Sequence, residues 1–384
     1  MRFAASANPR PSVPLSRPAA ASVHEIRNGT VKKMRGTVFH GPHDVRVERV
    51  DDPKLQTPTD ALVRITRAGI CGSDLHCYHG AMPAVPGFVL GHEGVGVVEE
   101  VGAGVDGLKK GDRVVVSGLV ACGRCFFCRR GQPSQCAESG SAVFGYGSSS
   151  AGKLGWLGGE QSEAVRVPMA DYTCYRLPDA IDDDVAVFLA DILPTSFFGA
   201  INGNIRPGDT VAIFGCGPVG LCAVMSAKLF GPAEVIAVDS IPYRLELARK
   251  LGAFAVDTEN AQQTILDRTD GRGADVTIEA VGNDAALTAA IMSARGGGTV
   301  SVIGVFAAPS FNFPIGYAFM RDLKFSIGLV NINAHIPELA RLIEKGALDP
   351  RPLISHIMPL DDAAKGYEIF NARKDNVMKV LLKP

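Results

Sequence analysis

Two short stretches of the chain carry residue types and spacings that could do chemistry. The first runs from Cys71 to the turn Gly91-His92-Glu93-Gly94. A thiolate, a neutral imidazole and a carboxylate are ligand types that zinc accepts. Glycines at 69, 72, 87, 91 and 94 let the backbone bend closely around a small site. The alternative is a buried cysteine beside two ordinary polar loop residues. The second stretch is Cys122, Cys125, Cys128 and Cys136, spaced C-x2-C-x2-C-x7-C. Four thiolates close a tetrahedral shell and leave no open position, which is the arrangement of a structural zinc. The two stretches predict about two zinc ions per chain, the one in the four-cysteine lobe structural. Of the nine cysteines, four crowd into fifteen residues. That distribution suits metal ligation in a reducing cytosol rather than a secreted disulfide scaffold.

Further along, Asp191 stands in the otherwise apolar run Ala190-Asp191-Ile192-Leu193-Pro194-Thr195. An acid in apolar surroundings needs a partner. A zinc ion is one candidate, and capping of a helix N-terminus is the other. Next comes Thr210-Val211-Ala212-Ile213-Phe214, followed at once by Gly215-Cys216-Gly217-Pro218-Val219-Gly220. The first run reads as a buried strand, and the glycine run opens a helix through Leu229. A second strand, Val235 to Val238, ends at Asp239, nineteen residues past Gly220. A glycine fingerprint between strand and helix, with an acid at the end of the next strand, is the dinucleotide-binding pattern. The glycines let a pyrophosphate approach backbone amides at the helix N-terminus. Asp239 would accept from ribose hydroxyls and repel a 2′-phosphate, so NAD is expected over NADP.

These sites need elements to hold them. Met34 to Val50 alternates and reads as a hairpin turning at Gly41-Pro42. Ala61 to Arg67, Gly94 to Val101, Arg113 to Ser117 and Glu163 to Val167 read as further short strands, the set of a partly closed β-barrel. Beyond the fingerprint, strands at 275–278, 299–303 and 324–327 alternate with helices at 260–269 and 285–294. This predicts a doubly wound parallel sheet of about six strands, giving an α/β chain. The glycine-serine stretch 145–159, with the single Trp156, reads as a surface loop. The expected domains are 34–190 together with 334–384, holding zinc, and 191–333, holding the dinucleotide. Residues 1–33, rich in Ala, Ser, Pro and Arg, are expected to be a disordered extension, with a targeting peptide as the alternative.

Length and composition agree with this picture. At 384 residues the chain exceeds one hydrophobic core. A net charge of −1 argues against nucleic acid or an acidic membrane surface as the main partner. No apolar run reaches the roughly 18 residues of a membrane span.

Cys71, the Gly91-His92-Glu93 turn and the cysteine lobe together resemble the zinc-dependent medium-chain alcohol dehydrogenases, over about Met34 to Pro384. Asp191 with Leu193-Pro194-Thr195 is closer to the glutathione-independent formaldehyde dehydrogenase-like branch. The resemblance implies a GroES-like β-barrel catalytic domain beside a Rossmann domain. It implies that Cys71, His92 and Asp191 ligate the catalytic zinc, with Glu93 as a further ligand or catalytic group. A Lewis-acid zinc would polarise an alcohol oxygen while hydride passes to the nicotinamide. Ser73 and His76 match a proton relay through the cofactor ribose. Their alternatives are a helix-capping hydroxyl and an exposed loop histidine.

The family also places Thr195, Gly215, Gly217, Pro218, Val219, Gly220 and Asp239 at the cofactor. Arg244 would reach the same ribose, and the Ile303 to Val305 backbone the carboxamide. Lys379 would lie near the pyrophosphate, or else be a surface lysine. Gly118 stands where animal enzymes carry a bulky pocket residue, which implies room for a larger alcohol. A cytoplasmic homodimer or homotetramer is expected. The alternatives are a polyol or sugar-alcohol dehydrogenase, or a zinc- and nucleotide-binding redox sensor without turnover.

Overall fold

The computed structural model describes residues 33–82, 85–147, 154–155, 157–307 and 310–384. Of the extension expected over 1–33, only Lys33 is described, and it opens the first strand. Trp156 also lies outside the described residues.

The expected hairpin forms from Lys33–Gly41 and Asp44–Asp51, paired antiparallel, with Phe88–Val89 as a third strand. A larger sheet follows the order Ile354–Pro359, Lys379–Lys383, Ala61–Ile70, Gly94–Val101, Arg113–Val116 and Cys174–Arg176. Ala164–Val167 pairs with Ala61–Ile70 outside that path. Two consequences bear on the site. Ala61–Ile70 ends one residue before Cys71, so its pairing with Gly94–Val101 brings the chain past His92 to the same edge. The last strand pairs Val380 with Ile70, which brings Lys379 beside the Cys71 loop.

The second architecture is a six-stranded parallel sheet. Its order is Phe254–Asp257, Glu234–Asp239, Thr210–Phe214, Ala274–Glu279, Ala294–Val302 and Lys324–Ile327. Its central strands read as continuous apolar runs because both faces are covered. Strand periodicity deals alternate residues to the two faces. Val211, Ile213, Val235 and Ala237 enter one core cluster, and Ala212, Phe214, Ile236 and Val238 the other. The order reverses between Thr210–Phe214 and Ala274–Glu279, and the glycine fingerprint leaves the first of these. In such sheets ligands bind in the crevice at that reversal. The fold is α/β, a GroES-like unit with a parallel Rossmann sheet.

The apolar stretch before Asp191 does not run as one helix. A short helix Asp183–Ala186 tightens into a 3-10 turn, Val187–Ala190, and a new helix Ile192–Gly203 departs at 50°. Phe188, Leu189, Ala190, Ile192 and Leu193 are all buried. Asp191 takes the break, at φ −154° and ψ −68°. Among the described residues, no single helix is long and apolar enough to cross a membrane.

Candidate metal centre and cofactor cleft

Cys71, His92 and Asp191 come together from three elements, with one ligand atom of each within 4.8 Å of the others. The Cys71 Sγ lies 3.5 Å from Asp191 Oδ2, and His92 Nε2 lies 3.4 Å from the same oxygen. Asp191 occupies an N-cap position but its side chain makes no capping bond. Its Oδ1 accepts from the Thr195 hydroxyl at 3.0 Å, one turn along the new helix. Burial pushes the Asp191 carboxyl up, but His92 and Thr195 outweigh it and hold it below the usual aspartate range. Burial raises the Cys71 thiol, reinforced by Glu93 and Asp191. Burial also pulls the His92 imidazole down, yet Asp74, Tyr146 and Asp191 carry it well above its ordinary value. Thiol, imidazole and carboxylate crowded without apolar separation form a donor set that fits zinc.

The outer ring was not read from sequence. Asp74, 1% exposed, sets Oδ1 at 3.1 Å from His92 Nδ1. Its Oδ2 accepts from the Cys71 amide at 2.9 Å and from Gln161 Nε2 at 3.2 Å. Tyr367 in turn donates to Gln161 Oε1 at 2.9 Å. A carboxylate on Nδ1 fixes the ring so that Nε2 faces the metal position. Asp74 thus orients two ligands at once. The only sequence signal was its place in Cys71-Gly72-Ser73-Asp74; that it meets His92 depends on the fold.

Other candidates sit as follows. Ser73 Oγ lies 3.2 Å from Cys71 Sγ and 3.0 Å from His92 Nε2, and makes no helix cap. His76 lines the cavity beside Ser73 and is half-buried, not an exposed loop residue. Burial and the neighbouring His79 lower its pKa. Tyr146, also unread, hydrogen-bonds Ser73 and sets its ring 5.5 Å from that of His92.

Glu93 departs from expectation. It lies outside the set of mutually close ligand atoms, and its carboxylate pairs with Lys379. Neither side chain is exposed, so Lys379 is not a surface lysine. Burial lowers its ammonium, but Glu93, Cys71 and Asp191 hold it above the usual range. Two charges removed from water must pair, and that draws Glu93 away from the ligand cluster. Lys379 still lines the cleft beneath the glycine fingerprint. Thr195 lines the neighbouring cavity, and its hydroxyl donates to Asp191 Oδ1. Gly118 lines the pocket, yet a Cβ there would meet the His92 carbonyl oxygen at 2.6 Å. That glycine is required by two backbones passing closely, with its amide donating to Ala190 at 3.0 Å.

The four clustered cysteines bring their sulfurs within 4.8 Å of one another, and all nine cysteines of the chain are free thiols. The Cys125 amide points at Cys122 Sγ at 3.3 Å and the Cys122 amide at Cys136 Sγ at 3.4 Å. Hydrogen bonding to the Cys128 amide holds the Cys125 thiol down at about 6. The set is closed, as a structural zinc requires. The lobe is tied to the rest by Ser134, whose hydroxyl donates to Asn331 Oδ1 at 2.8 Å.

Two cavities meet at Cys71, Gly72, Val219, Ala280 and Val281. One, of about 680 Å³, holds Gly215, Gly217, Pro218, Asp239, Arg244 and Lys379. Gly215 has φ +98°, and a Cβ on Gly220 would collide with the Gly215 carbonyl oxygen, so the fingerprint turn needs both glycines. Asp239 is fixed by accepting from the Cys216 and Ile241 amides at 2.7 and 2.9 Å. Arg244 lies 3.8 Å from it, and its buried Nε has no partner. An orphaned guanidinium donor over a glycine cradle fits a dinucleotide. The other cavity, of about 730 Å³, holds the metal cluster, Ser73, His76, Thr195, Ile303 and Val305.

This site, at the mouth of a Rossmann crevice beside a GroES-like barrel, defines a zinc-type oxidoreductase. Comparison with known proteins gives the family. The alcohol dehydrogenase GroES-like domain matches residues 57–179, and the zinc-binding dehydrogenase domain matches 218–345. The zinc-type alcohol dehydrogenase B of Aspergillus flavus is 40% identical over 95% of this chain and 84% of its own. The solved alcohol dehydrogenase of Thermus sp. ATN1 is 44% identical, with a TM-score of 0.85 over 91% of this chain and 99% of that one. A dehydrogenase of Sinorhizobium meliloti solved with NADP (28% identical, covering 92% and 100%) and one of Escherichia coli solved with NADH (29%, covering 92% and 99%) each give a TM-score of 0.78. The chain belongs to the zinc-dependent medium-chain alcohol dehydrogenase family, and it is an alcohol dehydrogenase-type oxidoreductase.

Proposed function

We infer that the chain transfers hydride between a small alcohol and NAD, at a zinc held by Cys71, His92 and Asp191. The observation that carries this reading is that the cluster lines one cavity and, through Cys71, reaches the junction with the cavity that holds the glycine fingerprint. When bound there, zinc supplies a Lewis acid for the alcohol oxygen. The chain's own residues do the rest. Asp74 holds His92 in the ligating tautomer and pins the Cys71 loop. Ser73 Oγ, beside the ligand atoms, takes the hydroxyl proton, and His76 in the same cavity passes it toward solvent. Asp239, held by two amides, accepts from ribose hydroxyls and opposes a 2′-phosphate, which favours NAD over NADP. Arg244 supports the ribose from the other side, and the backbone from Ile303 to Val305 positions the nicotinamide.

The four-cysteine lobe holds a second, structural zinc. Residues 34–190 with 334–384 form the zinc-binding catalytic unit, and 191–333 the NAD unit. The Asp191 to Thr195 segment favours the formaldehyde dehydrogenase-like branch. Exposed Ile315, Phe319, Met320 and Ile327, around the edge strand Lys324–Ile327, support a homo-oligomer that buries them. A cytoplasmic location is our reading of the free thiols. NADH formation from alcohols, with and without chelator, tests the reading. Nucleotide binding without turnover of any alcohol or aldehyde would leave the sensor alternative.

A further inference from the structure

The four-cysteine lobe and the cavity that holds the metal cluster are joined by a set of hydrogen bonds. Asn331 stands at the N-cap of the helix Ile332–Glu344, where an asparagine side chain ordinarily accepts from a helix amide. It makes no such bond here. Its Oδ1 accepts instead from the Ser134 hydroxyl at 2.8 Å and the Ser134 amide at 3.3 Å. Ser134 is buried, in the short turn Pro133–Gln135 that leads directly into Cys136. Its carbonyl accepts from the Ser141 hydroxyl at 2.6 Å. Leu329, Val330 and Ile332, on either side of Asn331, line the cavity, and so does Ser141. A second bond runs alongside. Asn333 Nδ2 donates to the Tyr172 carbonyl at 2.9 Å, and Tyr172 packs against the lobe. A Cβ on Gly123, between Cys122 and Cys125, would meet the Tyr172 ring at 2.8 Å.

We propose that Asn331 is a positioning residue for the reaction: through Ser134 it fixes the 329–332 wall against the cysteine lobe, and the lobe thereby sets how closely the alcohol is held. The proposal rests on the dehydrogenase reading for the molecule that fills the cavity, and goes beyond it in giving the lobe a part in substrate binding. Asn331 does not itself line the cavity, so it acts through its neighbours. Leaving the helix start uncapped is a cost, and the two bonds to Ser134 offset it. If they break, a buried Ser134 hydroxyl is left without its acceptor. The turn before Cys136 then shifts to find another, and Leu329, Val330 and Ile332 lose their anchor. None of these three lines the cofactor cavity, so the effect falls on the alcohol and not on NAD.

Two readouts on the zinc-loaded protein test the proposal, with Asn331→Ala, Ser134→Ala, the double variant and Asn331→Asp beside wild type. The first is steady-state kinetics with 1-butanol and NAD. Each alanine variant should raise the KM for 1-butanol about three- to tenfold, the worth of a buried hydrogen bond. Their kcat and their KM for NAD should stay within about twofold of wild type. The double variant should be no worse than the more severe single one, because both break the same bonds. Asn331→Asp keeps an acceptor for both Ser134 donors and should restore the wild-type KM. The second readout needs no turnover: amide hydrogen exchange over residues 327–336 should quicken in both alanine variants and not in Asn331→Asp. Ser134→Ala, which removes a single hydroxyl, carries the test should Asn331→Ala fail to fold. An unchanged KM for 1-butanol, additive effects in the double variant, or an equal rise in the KM for NAD would overturn the proposal while the dehydrogenase reading stood. Absence of turnover by wild type with every alcohol would overturn the dehydrogenase reading instead. Hydrogen exchange would then still decide whether the lobe holds the wall, faster exchange supporting it and unchanged exchange refuting it.

Discussion

Replacing Asp74 by asparagine keeps the volume of a buried side chain and changes one contact. The amide oxygen can still accept from the Cys71 amide and Gln161 Nε2, the two donors now 2.9 and 3.2 Å from Asp74 Oδ2. The amide nitrogen must then face His92 Nδ1, where Oδ1 now lies at 3.1 Å. A donor facing Nδ1 demands that Nδ1 accept, which puts the ring proton on Nε2. A protonated Nε2 cannot ligate zinc. Loss of such an outer partner costs 10- to 100-fold in metal affinity, about 1.4–2.7 kcal/mol. Because the tautomer is reversed and not merely loosened, the upper end is expected, near 100-fold. Zinc competition against a chromophoric chelator measures it, with far-UV circular dichroism to verify the fold. The four-cysteine lobe is an internal control and should keep its ion. An affinity at the Cys71 site within about threefold of wild type would refute the claim that Asp74 sets the tautomer.

Metal analysis should find about two zinc ions per chain, with Cys71→Ser losing one ion and turnover but keeping the fold, and Cys125→Ser losing the other and much of its thermal stability. Asp239→Gly should narrow or reverse the preference for NAD, read as the ratio of kcat/KM values; equal use of both cofactors by wild type would remove Asp239 from that role. Glu160 is fully buried against Gly94, and burial raises its carboxyl well above the usual glutamate range, with His92 opposing. Because its folded pKa lies above its unfolded one, the folded state holds the extra proton, and stability falls as pH rises from about 4.5 upward. Glu160→Gln should therefore raise the melting temperature at pH 7–8 and flatten its decline with pH; an unchanged profile would contradict that assignment.

Patterns local in the chain were legible. The glycine fingerprint, its flanking strands and the acid at the second strand's end needed only strand periodicity and turn chemistry, and the parallel sheet followed. The cysteine lobe was equally plain, because its ligands lie within fifteen residues. What escaped depends on contacts between distant segments. Phe254–Asp257 is a short edge strand whose pairing with Glu234–Asp239 supplies what its sequence does not. Asp74 and Gln161 carry no local signal in the sequence, and only the fold joins them and sets Asp74 against His92. Tyr146 sat in a glycine-serine stretch read as surface loop, yet it lines the cavity. Glu93 followed His92 and was expected on the metal side. In the turn before the strand Gly94–Val101 the two side chains diverge, and Glu93 meets Lys379 from the far end of the chain.

The central claim is that hydride passes directly from an alcohol carbon to NAD at the Cys71, His92, Asp191 centre. Its most direct test is isotope transfer. Zinc-loaded wild type and Cys71→Ser protein are each incubated with NAD and 1-butanol carrying deuterium at carbon 1. The reduced cofactor is then analysed by mass spectrometry and proton NMR. The account predicts one deuterium at the nicotinamide C4 with wild type and no reduced cofactor with Cys71→Ser. Reduced cofactor without deuterium, or equal labelling by the Cys71→Ser protein, would contradict it.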